Sequence, residues 1–203
     1  MAIRALTFAM MVLATQSASA DPSPHWDFGL VIAGGAESIA DNTVGQVGVG
    51  TWLGRRITRD VSITLRAELL TSNMDAPDGS LILGETTRGL LGIDWRLYEN
   101  RRPFVPEVFV NAGIGRELTA WDRGTVGRQL VFVGAEARQG FDIPQGRAIR
   151  GVRRMGLPFG VRFQLAPAID SMTIARACSQ CGAPPQAHAD FAFLIYYGLD
   201  FSR

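Results

Sequence analysis

The chain has no lysine: all 20 of its basic residues are arginine, set against 19 Asp and Glu for a net charge of +1. A balance so close to zero leaves no basic excess for neutralising phosphates, which argues against a nucleic-acid partner. Cysteine and histidine are scarce, two of each in 203 residues, and this confines disulfide and metal chemistry to a few positions. After residue 20 no run of about 18 apolar residues occurs, so the chain offers no transmembrane helix. Helix surfaces built from Leu, Glu, Lys and Ala are missing as well. Yet 47% of the residues are hydrophobic and 23 are glycine. Apolar residues in that quantity, spread rather than massed, fit strands with one apolar and one polar side.

The first 20 residues read as an address. Arg4 supplies a positive start, Ala5 to Ala14 is an apolar run too short to span a bilayer, and Ala18-Ser19-Ala20 is a small-residue cleavage signal. Residues 1–20 are therefore expected to be a secretory signal peptide and 21–203 a single domain. No cysteine follows the cleavage point, so a lipid anchor is not expected. Loss of Arg4 leaves 19 Arg against 19 carboxylates.

Turn signals divide the remainder into eight segments with a period of two: His25 to Ala36, Val44 to Ile57, Val61 to Thr71, Thr86 to Tyr98, Phe104 to Leu118, Gln129 to Ile143, Met155 to Ile169 and Asp190 to Ser202. The third is the clearest, with Val61, Ile63, Leu65, Ala67 and Leu69 alternating with Ser62, Thr64, Arg66 and Glu68. Most segments exceed the roughly 9–11 residues that a tilted strand needs to cross a membrane. Between them, longer polar stretches (37–43, 72–85, 121–128, 171–189) alternate with tight turns at 58–60 and 99–103. That asymmetry is expected of an outer-membrane barrel. The Arg-rich connection from Arg147 to Arg154 breaks the pattern and reads as a solvated turn.

The polar face decides which way the strands point. It carries Arg66, Arg88, Arg96, Arg138 and Arg162 together with Glu68, Asp94, Glu107 and Glu136, and also Asp27, Asn111, Gln164 and Asp200. A barrel of eight strands has an interior just wide enough for side chains. Charges placed there must pair, and this set is nearly balanced. The spacing thus predicts an all-β, eight-stranded antiparallel up-and-down transmembrane β-barrel. Ile63, Leu65, Leu91, Ile93, Val108, Val110, Val161 and Phe193 should face lipid, and the nine arginines and carboxylates named first should form an ion-pair network in the lumen.

The segment from Gly89 to Gly115 (GLLGIDWRLYENRRPFVPEVFVNAGIG) joins a Gly-rich amphipathic strand, a short turn and a Pro103-Phe104-Val105-Pro106 strand start. In this it resembles the central hairpin of opacity-type and OmpA-like small outer-membrane barrels. The aromatic closing strand Phe191 to Phe201 carries the resemblance further, although the chain ends Phe201-Ser202-Arg203 where such families end on Phe. The resemblance implies a bacterial outer-membrane location, contact with outer-membrane lipid and lipopolysaccharide, and handling by the barrel-assembly machinery. It identifies no activity.

Local chemistry is thin. Cys178-Ser179-Gln180-Cys181 in an exported chain reads as a disulfide closing a small ring. A redox role lacks the βαβ context, haem attachment would need His where Gly182 stands, and a metal site would have His188 as third ligand and no evident fourth. The two histidines precede Trp26-Asp27 and Ala189-Asp190, so the His-x-Ser pair of lipid A-modifying barrels is absent. Trp26, Tyr98, Trp121, Tyr196 and Tyr197 read as membrane-interface aromatics. Neither an enzyme nor a cofactor is expected. The expected role is structural or surface-interacting, with an envelope or extracellular protein met by the loops. A lipid-modifying enzyme, a small pore or hydrophobic-ligand barrel, and a soluble lipocalin-like barrel are the alternatives.

Overall fold

The computed structural model describes residues 26–39, 42–75, 81–98, 106–142, 152, 154–169, 171–179 and 189–202. The signal-peptide reading of residues 1–20, both histidines, the turn at 99–103 and most of the Arg147–Arg154 connection lie outside them. Eight strands form one sheet: β1 (Trp26–Ile39), β2 (Asn42–Arg56), β3 (Val61–Asp75), β4 (Leu81–Tyr98), β5 (Glu107–Ala120), β6 (Thr125–Asp142), β7 (Arg154–Pro167) and β8 (Ala189–Ser202). Each pairs antiparallel with its sequence neighbour, and β1 pairs with β8 to close the barrel. Closure removes the edges that an open sheet would expose. Both ends of the chain's barrel portion, Trp26 and Ser202, lie at one end of the barrel, called here the lower end.

The period-two pattern becomes two faces because successive strand residues point to opposite sides. In β4 exposed and buried residues alternate from Leu81 to Arg96 with little interruption. The exposed face is apolar: Leu30, Ile32, Leu65 and Ile114 are 58–64% accessible. The buried face holds the charges, and Arg88 and Arg162 are 0% and 1% accessible. A soluble lipocalin-like barrel would have the opposite polarity. Ile63 and Leu91 are likewise exposed, and Ile93, Val108, Val110, Val161 and Phe193, on the same outer face, are half-buried among their outer neighbours.

The register fixes the shape. Following paired residues from Asp27 to Gly54, Thr64, Gly92, Gly113, Phe132, Gln164 and Ala192 leads back to β1 at Glu37, ten residues above the start. Strands with such a stagger must tilt, by about 35–45° in closed barrels, and the tilt and strand number together set the interior width.

Two expectations need correction. The polar stretches 37–43 and 72–85 are mostly strand: β1 runs to Ile39 and β2 starts at Asn42, while β3 runs to Asp75 and β4 starts at Leu81. Beyond the apolar zone the outward residues turn polar (Thr43, Thr71, Asn73, Glu85, Thr125), so the hydrophobic contrast fades while backbone pairing continues. The upper connections after β1, β3 and β5 are consequently short, and the hairpins themselves rise above the zone. The lower turn at 57–60 is as expected. There the Thr58 hydroxyl accepts from the Asp60 and Val61 N–H groups at 3.3 and 3.1 Å.

The second correction is a helix. Within the stretch 171–189, α1 (Ser171–Ala177) forms about two turns across the upper mouth. Ile174, Ala177 and Cys178 fall on one side at helical spacing and are buried. Ile174 and Cys178 pack with inward-facing Val44, Met74 and Ile82, against which Trp121 and Ile169 also rest.

An arginine in place of Leu65, on the outer face of β3, should cost about 2–4 kcal/mol if the side chain sits near the bilayer midplane. Reversible urea unfolding in lipid vesicles measures this. An unchanged midpoint would contradict the lipid-facing assignment.

Candidate functional site

The lumen is occupied by three tiers of charge. In the upper tier Arg88, from β4, donates to Glu37 Oε2 at 2.8 Å, Gln46 Oε1 at 2.8 Å and Glu117 Oε2 at 2.5 Å. Arg128, from β6, donates to Glu117 Oε1 at 2.8 Å and Asp190 Oδ2 at 2.6 Å, and pairs with Glu37 as well. Gln46 completes Glu37 at 2.5 Å. Two guanidiniums thus cross-link carboxylates from β1, β5 and β8. Planar, multi-donor Arg suits such sharing better than the point charge of Lys, which gives the all-arginine composition a use here.

In the middle tier Arg162 holds both oxygens of Glu68 at 2.5 and 2.6 Å across 94 residues of chain. In the amide orientation that satisfies both partners, the Gln164 oxygen accepts from Arg162 Nε at 2.8 Å. The rings of Phe132 and Tyr196 lie 5.7 and 6.0 Å from the same guanidinium.

The third tier lies nearer the lower end. Arg66 meets Asp94 at 3.2 Å and Glu136 at 3.6 Å, and Arg138 meets Asp94 at 3.0 Å. Arg138 also pairs with Glu136, and the Tyr196 hydroxyl donates to Glu136 at 2.7 Å. Arg138 lies between the rings of Trp52 and Phe109, 4.5 and 4.3 Å from their centroids. These aromatic faces stabilise desolvated guanidiniums where water cannot reach. At the lower rim Arg96 turns to Asp60 at 3.2 Å, with Glu107 at 3.8 Å; Arg154 meets Glu107 at 3.0 Å and Arg56 meets Asp27 at 3.8 Å.

All nine residues of the expected network are inward-facing and buried. Arg66, Asp94, Glu136 and Arg138 come together, Glu68 and Arg162 form a separate pair, Arg88 belongs to the upper tier, and Arg96 with Glu107 closes the rim. Sequence reasoning missed Glu37, Gln46, Glu117, Arg128, Asp190 and Tyr196. Glu37 and Arg128 had fallen in supposed loops, and the signal available was phase: Glu37 continues the face of Asp27 and Val31, and Arg128 that of Leu130 and Phe132. Tyr196, expected at the membrane interface, is inside the lumen at 2% accessibility. Gly160 makes room for it, since a Cβ there would collide with the phenol ring. Trp121 packs against the cap. Trp26, Tyr98 and Tyr197 are exposed, as interface aromatics would be.

Few buried groups in this assembly are left over. Among described side chains only Asp27 Oδ1, Arg66 Nε, Arg88 Nη1 and Asn111 Oδ1 lack a partner. Among the described residues no cluster of His, Cys, Asp and Glu suits a metal ion. Above the tiers, the cap is tied to the β5–β6 hairpin. The Arg123 N–H donates to the Ala177 carbonyl at 3.0 Å, and the Ser179 N–H donates to Asp122 Oδ1 at 2.9 Å. Hydrogen bonds from Ser179 hold the Asp122 carboxyl below its usual range, so this tie is present at neutral pH and lost on acidification. Cys178 is buried in the cap, while Cys181 lies outside the described residues.

No protein-family model matches the chain, and no curated protein matches it by sequence. Among solved structures, Neisserial surface protein A superposes with a TM-score of 0.54 at 10% identity, over 87% of this chain and 96% of that one. The outer membrane protein OprG from Pseudomonas aeruginosa gives a TM-score of 0.40 at 9% identity, over 87% and 95%. At such identities the likeness to the Neisserial protein is one of fold, the closed eight-stranded antiparallel barrel.

Replacing Glu68 by Gln leaves Arg162 buried without a counter-charge and should cost about 3–5 kcal/mol. Arg56→Gln at the rim, where the guanidinium is 31% exposed, should cost no more than about 1 kcal/mol. Equal losses in vesicle unfolding experiments would show that the lumen charges are solvated after all.

Proposed function

We propose that the protein is a non-conducting barrel of the bacterial outer membrane with a structural or surface-interaction role, its lumen plugged by ion pairs and its upper hairpins carrying specificity. The observation that carries this reading is the ladder of arginine–carboxylate contacts from Arg96 at the lower rim to Arg128 near the cap. Such contacts bridge opposite walls where an open pore would hold water. The apolar exterior supports a lipid environment, and the exposed Trp26, Trp95 and Tyr98 near the lower end support an interface girdle there. No helix among the described residues is long and apolar enough to cross a membrane, so spanning falls to the strands.

On this reading the termini end faces the periplasm and the capped end faces outward. Outer-membrane lipid and lipopolysaccharide surround the wall. The barrel-assembly machinery engages the closing strand, whose outer face is Phe191, Phe193, Ile195, Tyr197, Leu199 and Phe201. The raised hairpins and the 168–188 connection meet an envelope or extracellular protein. Catalysis has no part in this role.

Purified protein in a planar bilayer should show no steady conductance. Parallel assays should find it in outer-membrane fractions with heat-modifiable migration. Sustained channel currents from the wild type would sink the plugged-barrel reading and favour a pore.

The reading also includes a Cys178–Cys181 disulfide that staples the connection after α1 without being needed for assembly. Thiol labelling of intact cells should find neither cysteine reactive, and a double Cys→Ser variant should still reach the heat-modifiable state. A reactive pair, or a variant that fails to assemble, would contradict it.

A further inference from the structure

The outer wall is not uniformly convex. A groove of about 800 Å³ crosses β3 to β7, lined on the outside by Leu65, Leu91, Ile114, Val131 and Leu165. Two features of the strands leave space there. Gly89 points outward on β4, and a Cβ built there would meet nothing within 4 Å. At the other end, β6 and β7 pair only from Val131 with Leu165 downward, so among the described residues Gln129 and Leu130 have no partner on β7. Pro167, next along β7, has no N–H to offer. The groove therefore dips between the two strands to the inward-facing Leu90, Leu130 and Ala166.

Directly above this apolar trough stands a cation. Arg116 lines the groove from β5, paired in register with Gln129 on β6 and Gly89 on β4. It is exposed and outward-pointing, with its Nη2 beside the bare backbone of Gly127. No hydrogen bond or ion pair joins Arg116 to another described residue. That sets it apart from the lumen arginines, which pair with carboxylates. An unpaired guanidinium at the margin of an apolar trough is costly unless an anion from the membrane meets it. A hydrocarbon trough with a cation at its upper margin is complementary to one kind of membrane component, an acyl chain that ends at a phosphate.

We propose that this groove is a specific lipid site that seats an acyl chain of lipid A along Leu65, Leu91, Ile114 and Val131, with Arg116 and Gln129 holding its phosphate. The choice of lipid A rests on the outer-membrane reading, since the groove lies in the half of the barrel that this reading places in the outer leaflet. Arg is suited to the task because its planar donors can engage two phosphate oxygens at once.

Native mass spectrometry of the full mature barrel, extracted from outer membranes in mild detergent, tests this with lipid A as the probe. The wild type should retain one lipid A, and Arg116→Gln should reduce retention about tenfold through the lost charge-assisted contact. Gly89→Phe, whose Cβ would meet nothing within 4 Å, should fill the trough and cause a similar loss. Val49→Phe, on the outer face of β2, serves as the control and should retain lipid as the wild type does. Retention of phosphatidylglycerol or phosphatidylcholine as strongly as lipid A would overturn the proposal, leaving an ordinary lipid annulus. So would undiminished retention by both groove variants. Heat-modifiable migration and membrane fractionation of each variant keep the two readings apart: a barrel correctly in the outer membrane but without lipid A refutes the site alone.

Discussion

A narrow interior lined with buried charge governs this molecule. Eight strands closed with a stagger of ten residues leave a bore that side chains fill, yet the sequence puts arginines and carboxylates there by the dozen. Isolated charges in such a place would be prohibitive, so each must find counter-charges and hydrogen bonds at short range. The three tiers satisfy that requirement by sharing. Glu37 serves Arg88 and Arg128, Asp94 serves Arg66 and Arg138, and Glu136 serves Arg66, Arg138 and Tyr196. Because the partners come from different walls, each contact also fixes the relative rotation of strands remote in sequence. Register is in turn locked, since a slip of one residue would turn a strand's charges to the apolar outer face.

Apolar residues in the lumen play a subordinate part. Trp52, Leu70, Leu194 and Tyr196 form one buried cluster, and Leu90, Leu130, Phe132 and Ala166 another. They pack between the charged tiers as apolar layers, and low polarity beside a charge pair strengthens its electrostatics. Their rings also cover guanidinium faces that no carboxylate reaches, as Trp52 and Phe109 do for Arg138. The conventional core and the polar network are here one interdigitated column.

Much of this was legible in the sequence because strand periodicity is local. Arg66 and Glu68, or Asp94 and Arg96, declare their shared face by spacing alone, and the apolar alternates declare the other. What spacing cannot give is register, which depends on pairing around the whole ring. Hence the reading named members of the network without its pairs: Arg162 with Glu68, and Arg96 with Asp60 of a turn. Where the outward residues become Thr, Asn and Glu, the contrast that reveals a strand disappears, and with it went Glu37 and Arg128. Tyr196 was misplaced because two adjacent tyrosines must face opposite ways, and only the phase of Leu194 and Ala192 assigns the first one to the lumen. The helix α1 left no strong periodic trace, being too short for one.

The two ends of the column are sealed by different physics. At the lower rim the seal is ionic and partly wet: Arg96 reaches an Asp60 whose side chain is 41% exposed, and Arg154 itself is 35% exposed. Contacts of that kind are weakened by salt and individually contribute little. At the upper mouth the seal is apolar, with Ile174 and Cys178 set among Val44, Met74 and Ile82. A seven-residue helix has too few internal hydrogen bonds to persist alone, so α1 owes its conformation to the rim on which it packs. That dependence runs one way. The tiers below are cross-linked between strands and need no cap, whereas the cap needs the rim that those strands hold in place. Variation in sequence at the loop end therefore perturbs a surface built on a rigid column, while variation inside the column perturbs everything above it.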